Sequence, residues 1–218
     1  MTAISLRADL FRIAWRFTAP GKGVRVEPAA EGGVIIGATD AAAFVVLDRS
    51  AEVAASVLID APREFMQAVA RTRRLKSDPL QTRILANGAA LACNLVPLVV
   101  DAAVREVAAD AWRAAIDRNA FARITTPTLS FRRDVIDDIQ EAARMLAHAA
   151  GRSVGEAESA TFTIKGGVEG AVMVEFDDWP DAFALIADAQ RTPGGRWGWA
   201  PPAWIAPPTR VGEVESAA

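Results

Sequence analysis

The stretch GGVIIGATDAAAFVVLD, residues 32–48, constrains the fold more than any other. It holds two short apolar runs rich in β-branched residues, separated by Thr39-Asp40 and preceded by a glycine pair. Runs of four to eight such residues between turn residues read as strands, and two in succession read as an antiparallel hairpin. Upstream, FRIAWRFT (11–18) alternates: Phe11, Ile13, Trp15 and Phe17 against Arg12, Arg16 and Thr18. That period of two predicts a half-buried strand. APGKG (19–23) supplies a turn and VRVEP (24–28) a further strand. The chain should open as an antiparallel meander.

The period changes after Val57-Leu58-Ile59, which ends a strand. Asp60 is placed to cap a helix and Pro62 suits its first turn. On a helical wheel Phe65, Met66 and Val69 share one face, and Arg63, Gln67, Arg71 and Arg74 the opposite one. This helix should stop before Ser77-Asp78-Pro79. Strands return at TRILANG and AALACNL, joined around Asn87-Gly88. Context favours strands over helix at 98–108. RNAFARITTPT (118–128) reads as a linker. A second unit then opens with a helix in which Val135, Ile139, Ala142 and Leu146 recur at helical spacing and Gly151 stops it. ATFTIKGG and EGAVMVEFDD follow as a hairpin, and PDAFALIADAQ (180–190) as a short helix begun by Asp178, or by Trp179 and Pro180. The expected class is α+β: antiparallel sheets with short helices packed on one face. The expected units are 1–120 and 121–206, with a tail at 207–218.

Net charge supports no particular partner. Lys and Arg number 24 against 27 Asp and Glu, for a formal charge of −3, whereas nucleic-acid-binding domains tend to be strongly basic. Local clustering must therefore carry any such function. One cysteine, Cys93, excludes an internal disulfide framework and fits a reducing compartment. Arg7, Asp9, Arg12 and Arg16 interrupt the first seventeen residues, which leaves no signal-peptide core there, and no window reaches the ~20 apolar residues of a membrane span. A cytoplasmic protein is expected.

Catalytic chemistry finds few footholds. Asp40 has no partner within its own motif for acid–base work, and aspartate is favoured in turns because it bonds nearby backbone donors. Glu175, Asp177, Asp178 and Asp181 form the best oxygen-ligand cluster, yet they sit where carboxylates cap free amides at a strand-to-helix junction. A lone His148 and a lone Cys93 cannot build a zinc site in one chain. Cys93 reads as a core residue and His148 as a helix-end residue. GGRWGW lacks the strand and helix that flank a phosphate loop. No enzyme, cofactor or metal is expected. The basic stripe remains: Arg63, Gln67, Arg71, Arg73, Arg74 and Lys76 could contact phosphates without reading bases. Trp197, Trp199 and Trp204 in the Pro-rich tail could anchor a partner or cover the second unit.

GVRVEPAAEGGVIIGATDA (23–41), followed by VLIDAPREFMQAVARTRR (57–74) and by IDRNAFARITTP (116–127), resembles the middle domain and interdomain crossover of the bacterial DNA polymerase III beta sliding clamp. The helix and hairpin from residue 129 resemble the opening of that family's next domain. The resemblance implies a non-enzymatic processivity fold that assembles with itself and holds double-stranded DNA without sequence preference. It also implies a replication or repair partner, and a hairpin role for Asp40. A clamp-derived scaffold or inhibitor without DNA binding is the alternative, motivated by the mixture of Arg133, Arg144 and His148 with Asp137 and Glu141 on the helix at 132–148.

Overall fold

The computed structural model describes residues 4–18, 21–39, 42–72, 81–88, 90–107, 122–123, 131–168, 171–187 and 195–196. The chain opens with strand β1 (Ile4–Arg7) and helix α1 (Ala8–Arg16), not with a strand over 11–18. FRIAWRF satisfies both periods. Leu10, Ile13, Ala14 and Phe17 recur at helical spacing and are buried with Phe11, while Arg12 and Arg16 stand one turn apart on the outer side. A sheet edge would have buried only alternate residues. The helix buries more apolar area from the same sequence, which decides the outcome.

A three-stranded meander follows: β2 (Val24–Pro28), β3 (Val34–Thr39) and β4 (Ala42–Asp48). The β3–β4 hairpin forms as expected, with Val34 opposite Asp48 and Thr39 opposite Ala43. Asp40 lies outside the described residues. The pattern then repeats: β5 (Val57–Asp60), α2 (Arg63–Arg71) and a second meander of β6 (Arg83–Asn87), β7 (Ala90–Cys93) and β8 (Val96–Asp101). Gly88, at φ 61°, turns β6 into β7. Asp60 closes β5 instead of capping α2. Pro62 takes the cap position with no side-chain bond, and α2 ends at Arg71, where Thr72 is extended.

The two strand–helix–meander repeats exchange their first strands. One sheet runs β1-β6-β7-β8 and the other contains β5-β2-β3-β4, so each repeat's opening strand lies beside the other's meander. Strand β9 (Ala103–Glu106) pairs with β5. A short ladder joins β10 (Ala122–Arg123) to β14 (Gly195–Arg196).

Helix α3 (Arg133–Ala149), the single turn α4 (Val154–Ala157) and strands β11 (Phe162–Val168), β12 (Ala171–Phe176) and β13 (Ala182–Ala187) make a third helix-plus-meander unit. Ser153 and Glu156 cap α4 reciprocally, and Gly151 at φ 93° stops α3 as the sequence predicts. The stretch expected to be helical after Asp178 is instead strand β13. It lies between β12 and β4, with Ala182 opposite Val46 and Phe183 opposite Val45. Ala182, Phe183, Ala184, Leu185 and Ile186 are all buried. A strand covered on both faces loses its alternation, and an apolar run of that kind cannot be told from a helix by period.

The second sheet thus extends over eight strands, in the order β11-β12-β13-β4-β3-β2-β5-β9. Its inner face carries Val34, Ile36, Phe44, Val46, Val174 and Phe176 against α1 and α3. Phe44 stacks on Phe17 at 5.0 Å between ring centroids and meets Phe176 edge-on at 5.7 Å. The opposite face holds a smaller cluster of Ile35, Val45, Leu47, Met173, Phe183 and Leu185. All three long helices contribute to the larger cluster only. The fold is therefore α+β, with antiparallel sheets and short helices on one face.

Candidate nucleic-acid interface

Helix α2 forms because Phe65, Met66 and Val69 bury one stripe, which leaves the other residues of its two and a half turns to water. Arg63, Gln67 and Arg71, four residues apart, are exposed as the sequence predicts. Among the described residues none of the three makes a side-chain hydrogen bond or ion pair, and Glu64 is the one acid on the helix. Arg73, Arg74 and Lys76 lie outside the described residues.

Because residues 8–16 are helical, α1 brings a second set of cations that the strand reading placed on a sheet. Helix α1 packs against both α2 and α3. Its last turn and the first turn of α2 bound a groove of about 620 Å³, whose lining includes Trp15, Arg16, Arg63 and Gln67 and one acid, Asp60. Trp15 Nε1 donates to the Ala61 carbonyl at 3.1 Å and holds the two helix ends together. Arg16 and Arg63 thus face one recess. A helical-period count of Leu10, Ile13, Ala14 and Phe17 would have found Arg16 in the sequence.

The α3 side is different in kind. Arg16 donates to Asp138 at 2.7 Å. Arg144 binds Glu141 through two nitrogens, at 2.7 and 2.6 Å, and reaches Glu158 at 3.5 Å. Hydrogen bonding from Arg144 holds the Glu141 carboxyl below the usual range, and the same bond raises the Arg144 guanidinium. Burial lowers Arg12, against the opposing charge of Glu141. Arg133 pairs with Asp137 across one turn, and Arg132 with Asp134. Its charges neutralise one another, so this face offers little net field.

The other candidates are accounted for by their neighbours. The EFDDWPD stretch joins two strands, and its carboxylates are divided among separate partners. Asp177 accepts from Thr161, and from Thr163 at 3.1 Å; Asp178 pairs with Arg152; Asp181 takes both Arg49 nitrogens at 2.8 and 3.0 Å. Glu175 is also engaged. Cys93 is buried in the core. His148 Nδ1 lies 3.2 Å from the Arg152 carbonyl at the α3 terminus. Trp197, Trp199 and Trp204 lie outside the described residues. No described helix is long and apolar enough to cross a membrane.

No family model and no curated protein matches the chain. Among solved structures, the DNA polymerase III beta subunit of Thermotoga maritima is similar over 88% of this chain at 11% identity, with a TM-score of 0.49. A candidate DNA polymerase III beta subunit of Eubacterium rectale is similar over 86% at 7% identity, with a TM-score of 0.47. This chain spans 65% and 64% of their respective lengths.

Proposed function

We propose that the protein is a clamp-like, non-enzymatic factor that assembles with itself and holds double-stranded DNA through backbone electrostatics, in support of replication or repair. The observation that carries this reading is the unpaired row Arg63, Gln67 and Arg71 on α2. Arg16 on α1 and Arg132, Arg133 and Arg144 on or beside α3 are spent on carboxylates. On α2 they are not, and a solvated cation with no protein partner is what a phosphate contact requires. Arg73, Arg74 and Lys76 extend the same stripe in sequence. Such contacts read no bases, so the protein can move along the duplex, and a ring or partial ring would prolong residence at modest affinity. The division into a first unit at 1–120 and a shorter second unit at 121–206 belongs to the same proposal.

Retention on duplex DNA tests it. Replacing Arg63, Arg71 and Arg74 by glutamine should abolish retention at moderate salt and reduce the slope of log affinity against log salt by about 2 to 3, at roughly 0.9 for each phosphate no longer neutralised. Equal retention by the triple variant would overturn the proposal. The compensated α3 face, with Arg16–Asp138 and Arg144–Glu141, favours a second reading: a scaffold or inhibitor that meets a protein there. Recovery of replication proteins from a nuclease-treated host extract, with no DNA retention by the wild type, would select that reading.

A further inference from the structure

Helices α1 and α3 pack against each other, and their charges are set out as a ladder. Arg12 and Arg16 stand on successive turns of α1, Asp138 and Glu141 on successive turns of α3. Two cations against two acids would ordinarily give two pairs. Arg16 takes Asp138 at 2.7 Å, through Nη2 alone. The second pair does not form, because Arg144 holds Glu141 from within α3: its Nε donates to one carboxylate oxygen at 2.7 Å and its Nη2 to the other at 2.6 Å. Among the described residues the Arg12 side chain therefore makes no hydrogen bond and no ion pair. Unlike the solvated Arg63 and Arg71, Arg12 is half-buried. Burial lowers its guanidinium, the like charges of Arg16 and Arg144 add to the effect, and Glu141 opposes it. Five N–H donors drawn out of water without an acceptor are unfavourable.

We infer that Arg12, with Arg16 one turn away, is a binding site for a small oxyanion of the phosphate class at the α1–α3 junction. The planar fork of a guanidinium matches two phosphate oxygens, which supplies the acceptors that Arg144 has taken from Arg12. Arg16 keeps the donors it does not spend on Asp138 and can close on the same ligand from the rim. A recessed guanidinium suits a small anion; a duplex backbone meets protruding side chains such as Arg63 and Arg71. The site thus lies apart from the α2 row and does not rest on the DNA reading.

Inorganic phosphate is the probe, titrated into the full chain at constant ionic strength with chloride as the balancing salt. At ten times its dissociation constant it should raise the melting midpoint of the wild type by about 3 to 6 °C. Arg12→Met keeps the apolar stem, so without phosphate it should melt no lower than wild type, and phosphate should not move it. Arg133→Met, on the exposed side of α3, should respond as wild type does. No response in the wild type, an undiminished response in Arg12→Met, or a phosphate-free Arg12→Met that melts well below wild type would overturn the site; the last result would make Arg12 a structural partner of Glu141. Duplex retention by the same variants separates the two proposals. An unchanged salt slope in Arg12→Met leaves the site to a small ligand, whereas a slope reduced by about 0.9 without any phosphate response assigns Arg12 to the DNA backbone and overturns it.

Discussion

Arg7 and Asp48 are among the few charged residues buried in the core, and their bonds tie the first repeat to the third unit. Asp48 Oδ2 accepts the Arg7 backbone N–H at 2.9 Å, and Oδ1 accepts Ser50 N at 3.0 Å and Ser50 Oγ at 2.6 Å. The Arg7 guanidinium binds Asp9, donates to the Ala149 carbonyl at the end of α3, and lies 5.1 Å from the Trp179 ring centroid. Asp48→Ala would strand the buried Arg7 N–H, at a cost of about 1 to 3 kcal/mol; urea unfolding should register that loss, and Asp48→Asn should lose less. Glu141 supplies a pH signature. Its carboxyl is depressed in the folded chain by the Arg144 hydrogen bond, so its contribution is present above the unfolded value of 4.5 and fades as pH falls through the lower folded value. The stability difference between wild type and Arg144→Met should therefore shrink below about pH 4.5, and a difference that stays constant there would exclude the pair as its source. Arg63, Gln67 and Arg71 were legible in the sequence because a helix with one apolar stripe leaves no choice for its polar residues. The Asp48 network was not, because its partners lie up to 142 residues apart and no local spacing announces them.

At the scale of elements, the hairpins were legible wherever turn residues fixed them, and helix α1 and strand β13 were not. Residues 11–17 fit both periods, and only the strands packed around them decide for the helix. Residues 182–186 fit neither, because Ala182, Ala184 and Ile186 are buried in the larger cluster on one face and Phe183 and Leu185 in the smaller cluster on the other. Gly32 and Gly33, which open β3, show how sharply a turn can be specified. Both have φ near 87°, yet a Cβ on Gly32 would meet open space, whereas one on Gly33 would lie 2.8 Å from the Asp48 carbonyl oxygen. Gly32→Ala should cost only the left-handed strain of about 1 to 2 kcal/mol. Gly33→Ala should cost clearly more, since β4 backbone must also move, and a thermal melt that ranks the two variants equally would show the close approach to be relaxed in solution.

At the scale of the whole molecule, one core runs through units that the sequence reads as separate. Leu6 and Phe11 from the first repeat, Ile84 and Leu91 from the second, and Val135, Ile139, Val174 and Phe176 from the third unit belong to a single buried cluster. The repeat itself was hidden, because its first strands are exchanged and its helices share no residue pattern beyond an apolar stripe. The β4–β13 pairing adds five backbone positions and a second apolar cluster on the opposite face. A joint with backbone pairing and packing on both faces has no weak plane, so it should open only when the whole chain does. Native-state hydrogen exchange should then give the amides of β12 and β13 the same opening free energy as those of β3 and β4. Phe183→Ala, which leaves a cavity at the joint, should cost about 3 to 5 kcal/mol and lower both sets together. Selective exchange of β11–β13 with β2–β4 still protected would instead make the third unit an independently opening body, and the joint a hinge.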